Sequence, residues 1–287
     1  MTHPSVAKIK STIYATVRRG PREILWTPDA IRGGNLLYYW LHAFAQRSRG
    51  IDCLSLEVAH SAEWIDYFPT MASLNVKRSE VRLADRRVVP GPLQTFGMDF
   101  TSAELDAFIE LHLLDSRSML TQMTSPLQGL YDLTINVRRG DYYSVPKWRG
   151  EYSFDVVEYV RSALEQVSAQ RPIDRIHVVS DDPEWCRIKL GWLGDVAPVS
   201  SPPDNGTPLD HLAALTASPR LILANSTFSY WGGYLSEWLH RGGEQPHPKS
   251  EIWAPAFHNR FFPDGGRATQ LHPNWHVIEN IPGGWDG

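Results

Sequence analysis

Little other than its own core could hold this chain together. Its two cysteines, Cys53 and Cys186, stand far apart in 287 residues, which excludes both a disulfide framework and a cysteine-based metal-ligand spacing. No stretch approaches the roughly 18 uninterrupted apolar residues that a spanning helix needs, so no transmembrane segment is expected. The first twenty residues scatter charge where a leader would be apolar, so neither a secretory signal nor an anchor is expected, and a reduced, cytoplasmic setting is the simplest reading. Charge of one sign is also lacking. The formal net charge of -4 argues against broad attraction to nucleic acid or to a membrane surface, so any anion site has to be local. There is no G-x-x-x-x-G-K-[ST] segment, which counts against P-loop kinases and P-loop sulfotransferases. No internal repeat and no low-complexity tract interrupts the chain.

What is present is ordinary globular composition, 42% hydrophobic and 21% charged, enough for a sizeable core. Short apolar runs alternate with longer helical patterns. Strands are expected at 24–26, 51–58, 132–137, 175–180 and 221–224, and helices at 34–48, 101–114, 153–168, 209–217 and 228–240. Thr101 and Glu104 have capping-box spacing, and Asp182-Pro183 reads as a helix cap followed by proline at the first helical position. Residues 85–99 read as a connection. Alternation of this kind implies βαβ units and a mostly parallel sheet, an α/β fold.

Four segments concentrate chemistry. In Asn136 to Tyr142 a strand ends in Arg138-Arg139-Gly140-Asp141, and open α/β sheets bind ligands beyond the carboxyl ends of their strands. Successive side chains point oppositely there, so one guanidinium faces the crevice, where its planar fork suits a phosphate. The other ties the loop down, with Asp141 as the partner at hand. In Ala224 to Gly233 a buried strand runs into Ser226, Thr227, Phe228 and Ser229 at a helix start, where free amides and hydroxyls make an anion site. In Ser180 to Trp185, Asp182 is explained by capping and Asp181 is not. A carboxylate at Asp181 can accept the paired N–H groups of guanine, whereas a cap-bound Asp182 weakens any two-aspartate metal site. In Arg32 to Phe44, Gly33-Gly34 lets a helix start approach a ligand closely.

Taken in order, Gly33-Gly34-Asn35, Arg138 to Tyr142, Ser180-Asp181-Asp182 with Trp185-Cys186, and Asn225 to Gly232 resemble the α-1,2-fucosyltransferases of glycosyltransferase family eleven. Asp210-His211-Leu212 and Ile252 to Pro255 look like the family as well. Two positions depart from it: Asn136 stands where the family usually has histidine, and Arg32 replaces the first glycine of the early turn. The resemblance implies a GT-B-like fold, two Rossmann-like domains facing across a cleft, with residues 1–130 on the acceptor side and 131–287 holding the nucleotide sugar. It implies that Arg138 holds the β-phosphate of GDP-fucose and that Ser226, Thr227 and Phe228 contact the diphosphate. Asp181 would read guanine, and Gly33, Gly34 and Asn35 would approach the diphosphate from the other domain. Asn136 keeps hydrogen-bonding capacity in the donor site without a charge.

The expected reaction is inverting, metal-independent transfer of fucose from GDP-fucose, a donor substrate and not a cofactor, to a hydroxyl of a glycan or glycoconjugate acceptor. The linkage expected is α-1,2. Arg138 is the expected catalytic cation. Asp141, Glu151 and His42 are the candidates for the base that takes the acceptor proton, with Asp141 adjoining Arg138 in sequence. The alternatives are a transferase of the same fold using another nucleotide sugar, and a non-catalytic protein that binds nucleotide sugars or glycans.

Overall fold

The computed structural model describes residues 18–123, 132–203, 206–241 and 249–281. The chain divides after Ser116 into two compact units. Each is an α/β unit built on a parallel sheet, as the alternation of strand and helix patterns implies.

The first unit carries β1 (Glu23–Leu25), α1 (Gly33–Ser48), β2 (Cys53–Leu56), α2 (Ser61–Tyr67), β3 (Asn75–Val76), β4 (Arg86–Val88) and α3 (Ser102–Phe108). Its four strands lie in the order β3-β2-β1-β4, all parallel. One face buries Leu25 and Cys53 against Tyr39 and Ala43 of α1. Gly33 opens α1 at φ +44°, a conformation that disfavours a side chain. The Thr101–Glu104 capping box forms with both reciprocal bonds. The strand β4 falls inside the segment read as a connection. Its Arg86 side chain pairs with Glu23 at 2.8 Å, and charged residues of this kind disguise a sheet edge as a loop.

The second unit opens with α4 (Arg117–Met123), which packs on α9 (Pro208–Ala217). That packing moves the division earlier than the 130/131 boundary expected from sequence. Its strands are β5 (Leu133–Val137), β6 (Ile176–Ser180), β7 (Val199–Ser200), β8 (Arg220–Ile222), β9 (Glu251–Pro255) and β10 (His276–Ile278). They lie in the order β10-β9-β8-β5-β6-β7, all parallel. The chain lays β6 and β7 on one side of β5, then returns and builds β8, β9 and β10 on the other. This is the doubly wound Rossmann arrangement, and it leaves a crevice beyond the carboxyl ends of β5 and β8, where the winding reverses. Between the strands run α5 (Gly140–Ser144), α6 (Pro146–Tyr152), α7 (Val156–Gln170), α8 (Pro183–Lys189) and α10 (Thr227–His240).

The core of this unit joins Leu133, Ile135 and Val137 of β5 to Tyr159, Val160, Ala163 and Val167 of α7. Asp155 caps α7 by accepting the Glu158 N–H at 3.0 Å. Gly232 brings α10 close to α9: a Cβ at that position would stand 2.6 Å from Leu215.

The opposite, amino-terminal end of the sheet is tied by a fully buried cation. The Arg220 guanidinium at the head of β8 is 0% exposed. It donates to Asp132 Oδ2 at 2.8 Å and to the backbone carbonyls of Val167, Arg171 and Pro172, and its Nε lies 3.2 Å from Glu251 Oε2. Asp132 precedes β5 and Glu251 begins β9, so one side chain gathers the heads of three strands and the end of α7. Truncating it removes the buried donor of three backbone carbonyls and one of two cations from Asp132 and Glu251, which keep Arg171, a loss of about 3 kcal/mol. Arg220→Met is therefore expected to lower the unfolding free energy read from urea melts by that amount, whereas the exposed pair Arg187–Glu184 can be removed with little effect.

Candidate anion site at the strand crossover

The side chains at the carboxyl ends of β5, β6 and β8 follow from strand alternation and from where each strand stops. Along β5 every residue is buried. Asn136 lies inside the strand and donates its Nδ2 to the Val179 carbonyl of β6 at 2.9 Å. This uses a donor that the sequence reading left for a ligand.

The two arginines then part. Arg139 turns inward, 5% exposed. Its guanidinium is sandwiched 4.1 Å from the Tyr143 ring centre and 3.9 Å from that of Trp185, and its Nε donates to Asp182 Oδ2 at 3.2 Å. This is the loop-fastening arginine, and its carboxylate partner is Asp182 rather than Asp141. Asp182 also caps α8 by accepting the Trp185 N–H at 3.2 Å.

Arg138 turns outward, with a third of its side chain exposed. It donates to Asp141 Oδ1 at 2.5 Å and to Asp181 Oδ2, and its guanidinium lies 5.1 Å from the centre of the Tyr142 ring. Burial pulls its pKa down, and Asp181, Tyr142 and Asp141 more than offset this, so the net shift is upward and the charge is fixed. Asp181 also accepts the Arg139 backbone N–H on Oδ1 at 2.8 Å. Both its oxygens thus serve the Arg138 loop, a different use from the guanine recognition expected of it. Gly140 makes this approach possible. Its φ is +21°, and a Cβ there would stand 2.3 Å from Asp181 Oδ2.

The neighbouring strand supplies the second half. After β8 the chain turns through Leu223 to Ser226 into α10. The Ser229 hydroxyl accepts the Ala224 N–H at 2.9 Å, so it closes the turn and is not one of the outward hydroxyls. Ser226 is the N-cap residue, extended at φ -132° and ψ 138°, yet its side chain makes no capping bond, and the first turn holds no acidic residue. Ser226 and Thr227 are buried at the head of the helix, and Phe228 is half-buried beside them. The first N–H groups of an α-helix lack intrahelical partners and carry the positive end of its dipole. Asn225 is buried with both amide hydrogens in use, on the carbonyls of Tyr152 at 2.8 Å and His258 at 3.1 Å.

The remaining candidates are placed as follows. Gly33, Gly34 and Asn35 form the head of α1 in the first unit, where Asn35 Oδ1 accepts from Gln94 Nε2 at 2.6 Å. Arg32 is the exposed N-cap residue of that helix. His42 lies about 13 Å farther along α1 than Gly33 at the helical rise, away from the end of the helix that Gly33 opens. Asp141 is half-exposed, which leaves it the most accessible of the carboxylates around Arg138. The thiols are chemically quiet, because burial pushes Cys53 up to about 12 and Cys186 up to about 11. Among the described residues, no three His, Cys, Asp or Glu side chains gather in a way that could hold a metal ion, and no helix is long and apolar enough to cross a membrane.

The second unit is thus a Rossmann-type α/β unit in which an arginine and a hydroxyl-bearing helix start follow two neighbouring strands at one crossover. Residues 128–238 match the model of glycosyl transferase family 11. The chain is 31% identical over 158 residues to galactoside alpha-(1,2)-fucosyltransferase 1 of Lagothrix lagotricha, covering 50% of this chain and 40% of that one. It is 30% identical over 105 residues to the Homo sapiens protein of the same name, covering 36% and 28%. The chain therefore spans less than half the length of these relatives. Among solved structures it is similar to POFUT1 in complex with GDP, with a TM-score of 0.37 and 12% identity over 86% of this chain and 78% of that one.

One consequence of the site's packing is a pH dependence. His258 lies under the Asn225 turn, with Nδ1 3.2 Å from the Tyr230 hydroxyl, and burial lowers its pKa to about 3. A free histidine takes its proton near ~6.5, so between about 6.5 and 3 the unfolded chain binds a proton that the folded chain refuses. Stability is full above that window and falls as pH drops through it, with His177, lowered to about 4 by burial, contributing in the same direction. The urea midpoint is expected to fall steadily below pH 6.5, and the ring resonances of His258 to stay those of neutral imidazole at pH 5.

Proposed function

We propose that this chain is an inverting glycosyltransferase that moves fucose from GDP-fucose to a hydroxyl of a glycan or glycoconjugate acceptor, forming an α-1,2 linkage. The observation that carries the reading is that Arg138 follows β5 and the head of α10 follows its neighbour β8, at one crossover inside the stretch that matches the family. The relatives named for α-(1,2)-fucosyl transfer support fucose as the sugar and the linkage. A cytoplasmic setting belongs to the same proposal.

In this reading the acceptor oxygen attacks the anomeric carbon of fucose from the face opposite the leaving group. The bond from that carbon to the β-phosphate oxygen breaks, and negative charge grows on the β-phosphate. Arg138 and the first amides of α10, with Ser226 and Thr227, meet that charge with donors already in position, so little reorganisation is needed as it develops. A phosphate takes over the guanidinium hydrogen that Asp141 holds, a charge-assisted bond of the same kind. Asp141, the exposed member of the pair, is then placed to receive the acceptor proton, while Asp181 keeps Arg138 aimed. Metal independence rests on the same carboxylates: Asp182 is committed to a cap and to Arg139, and Asp181 to Arg138, so neither is spare for a divalent cation.

A panel of nucleotide sugars read by thermal unfolding tests the donor. GDP-fucose is expected to raise the unfolding temperature with and without chelator, because a ligand bound only by the folded state stabilises it. Stabilisation by a UDP-sugar instead, or only in the presence of metal, overturns the donor assignment. Arg138→Ala is expected to keep its circular dichroism spectrum and to lose transfer by roughly 10²–10³ in rate, the cost of one strong oxyanion donor. Turnover close to that of the unaltered protein would show that Arg138 does not stabilise the leaving group.

A further inference from the structure

The two halves of the anion site leave different strands, and the sheet does not fix their spacing. The β5–β8 ladder ends at Ile135 opposite Ile222. Asn136 and Val137 go on pairing with β6, while the Leu223 N–H turns to the Trp253 carbonyl of β9 at 2.8 Å. By the time the chains reach Arg138 and Ser226, they have diverged onto separate partners.

A side chain bridges the divergence. Asn225, 1% exposed, donates one bond to the Tyr152 carbonyl at the end of α6 and one to the His258 carbonyl after β9. The Tyr152 ring stacks on Tyr142 with centroids 4.2 Å apart and planes 17° apart, and it meets His258 edge-on at 5.9 Å. Tyr142 also carries the Arg138 guanidinium. A continuous column thus runs from the turn that opens α10 through Tyr152 and Tyr142 to Arg138. The residue at its root has to supply two donors from a short stem. Aspartate would set oxygens against two carbonyls, serine has one donor, and glutamine is a methylene too long for a closed site. Helix capping does not account for Asn225, because Ser226 holds the N-cap position.

We infer that Asn225 is a positioning residue that, through Tyr152 and Tyr142, sets Arg138 and the first turn of α10 at the separation that one diphosphate spans. This rests on the diphosphate reading of the site and assigns it a part that does not itself meet the substrate. If Asn225 works by aligning two halves, its contribution vanishes once one half is gone. A residue that merely stabilises the fold would weaken binding equally in either background.

A double-mutant cycle on the full chain separates the two, with GDP as the probe and calorimetry as the readout. Asn225→Asp and Arg138→Ala are each expected to weaken GDP binding about tenfold or more. The combined variant is expected to bind within about threefold of Arg138→Ala, a coupling of the size seen for residues acting as one unit. Urea unfolding of each variant shows that it folds. Should Asn225→Asp fail to fold, Tyr142→Leu replaces it in the same cycle with the same expectation, since Tyr142 is only partly buried, in the short helix α5. Additive losses in folded variants overturn the positioning role and leave the transferase reading standing. Absence of GDP binding by the unaltered protein overturns both.

Discussion

In the second unit the chain leaves β5 in one direction and returns to build β8 in the other, and much else follows from that reversal. Two neighbouring strands end side by side with their next elements pulled apart, so the backbone groups and side chains between them lose the partners that a continuing ladder would give. Buried polar groups without partners are costly, and side chains answer each one: Ser229 for the Ala224 N–H, Asp181 for the Arg139 N–H, Asn225 for two carbonyls. The crevice is therefore polar by necessity before it is polar for function. The far end of the same sheet has the converse problem, three strand heads and a helix end converging, and there one buried guanidinium, Arg220, satisfies them together.

Charge at the crevice is arranged as opposed pairs with different exposure. Arg139 and Asp182 are spent on structure, the first between two aromatic rings and the second at a helix head. Arg138 is kept from collapsing onto the surface by two carboxylates and an aromatic face, and remains partly open to solvent. A cation held this way is charged, aimed and accessible. Asp181 shows how closely structure and recognition share residues: a carboxylate whose sequence context suggests base reading spends both oxygens on keeping Arg138 and its loop in place. Gly140 is the permissive element, since any side chain there would occupy the space that Asp181 needs.

The stretch that matches the family, residues 128–238, runs from just before β5 to the end of α10 and so contains both halves of the crossover. The first unit repeats the principle with fewer strands: β1 and β4 are neighbours on which the winding reverses, and α1 begins nearby at Gly33. Its Asn35 is fastened to Gln94 in the segment after β4, so the head of that helix and the loop after the last strand are joined by side chains, as Asn225 joins the corresponding elements of the second unit.

Sequence alone was sufficient for what depends on near neighbours. Alternation marked the buried strands and long helices, the Thr101 and Asp182 caps followed from residue type and spacing, and an arginine pair after a strand announced that one would point out and one in. It was insufficient where distant segments decide. Which carboxylate each arginine meets depends on β6 lying beside β5, so Asp182 took the place expected of Asp141. Ser229 looked like a third ligand hydroxyl until the turn folded back on it. The charged strand Arg86–Val88 acquires its identity only from pairing with β1. Asn225 carries no local sign of its role, because both its partners are more than thirty residues away in sequence. Short-range stereochemistry is written into adjacent residues, whereas the pairing of buried donors and charges is settled only when tertiary contact removes water and leaves each group one partner within reach.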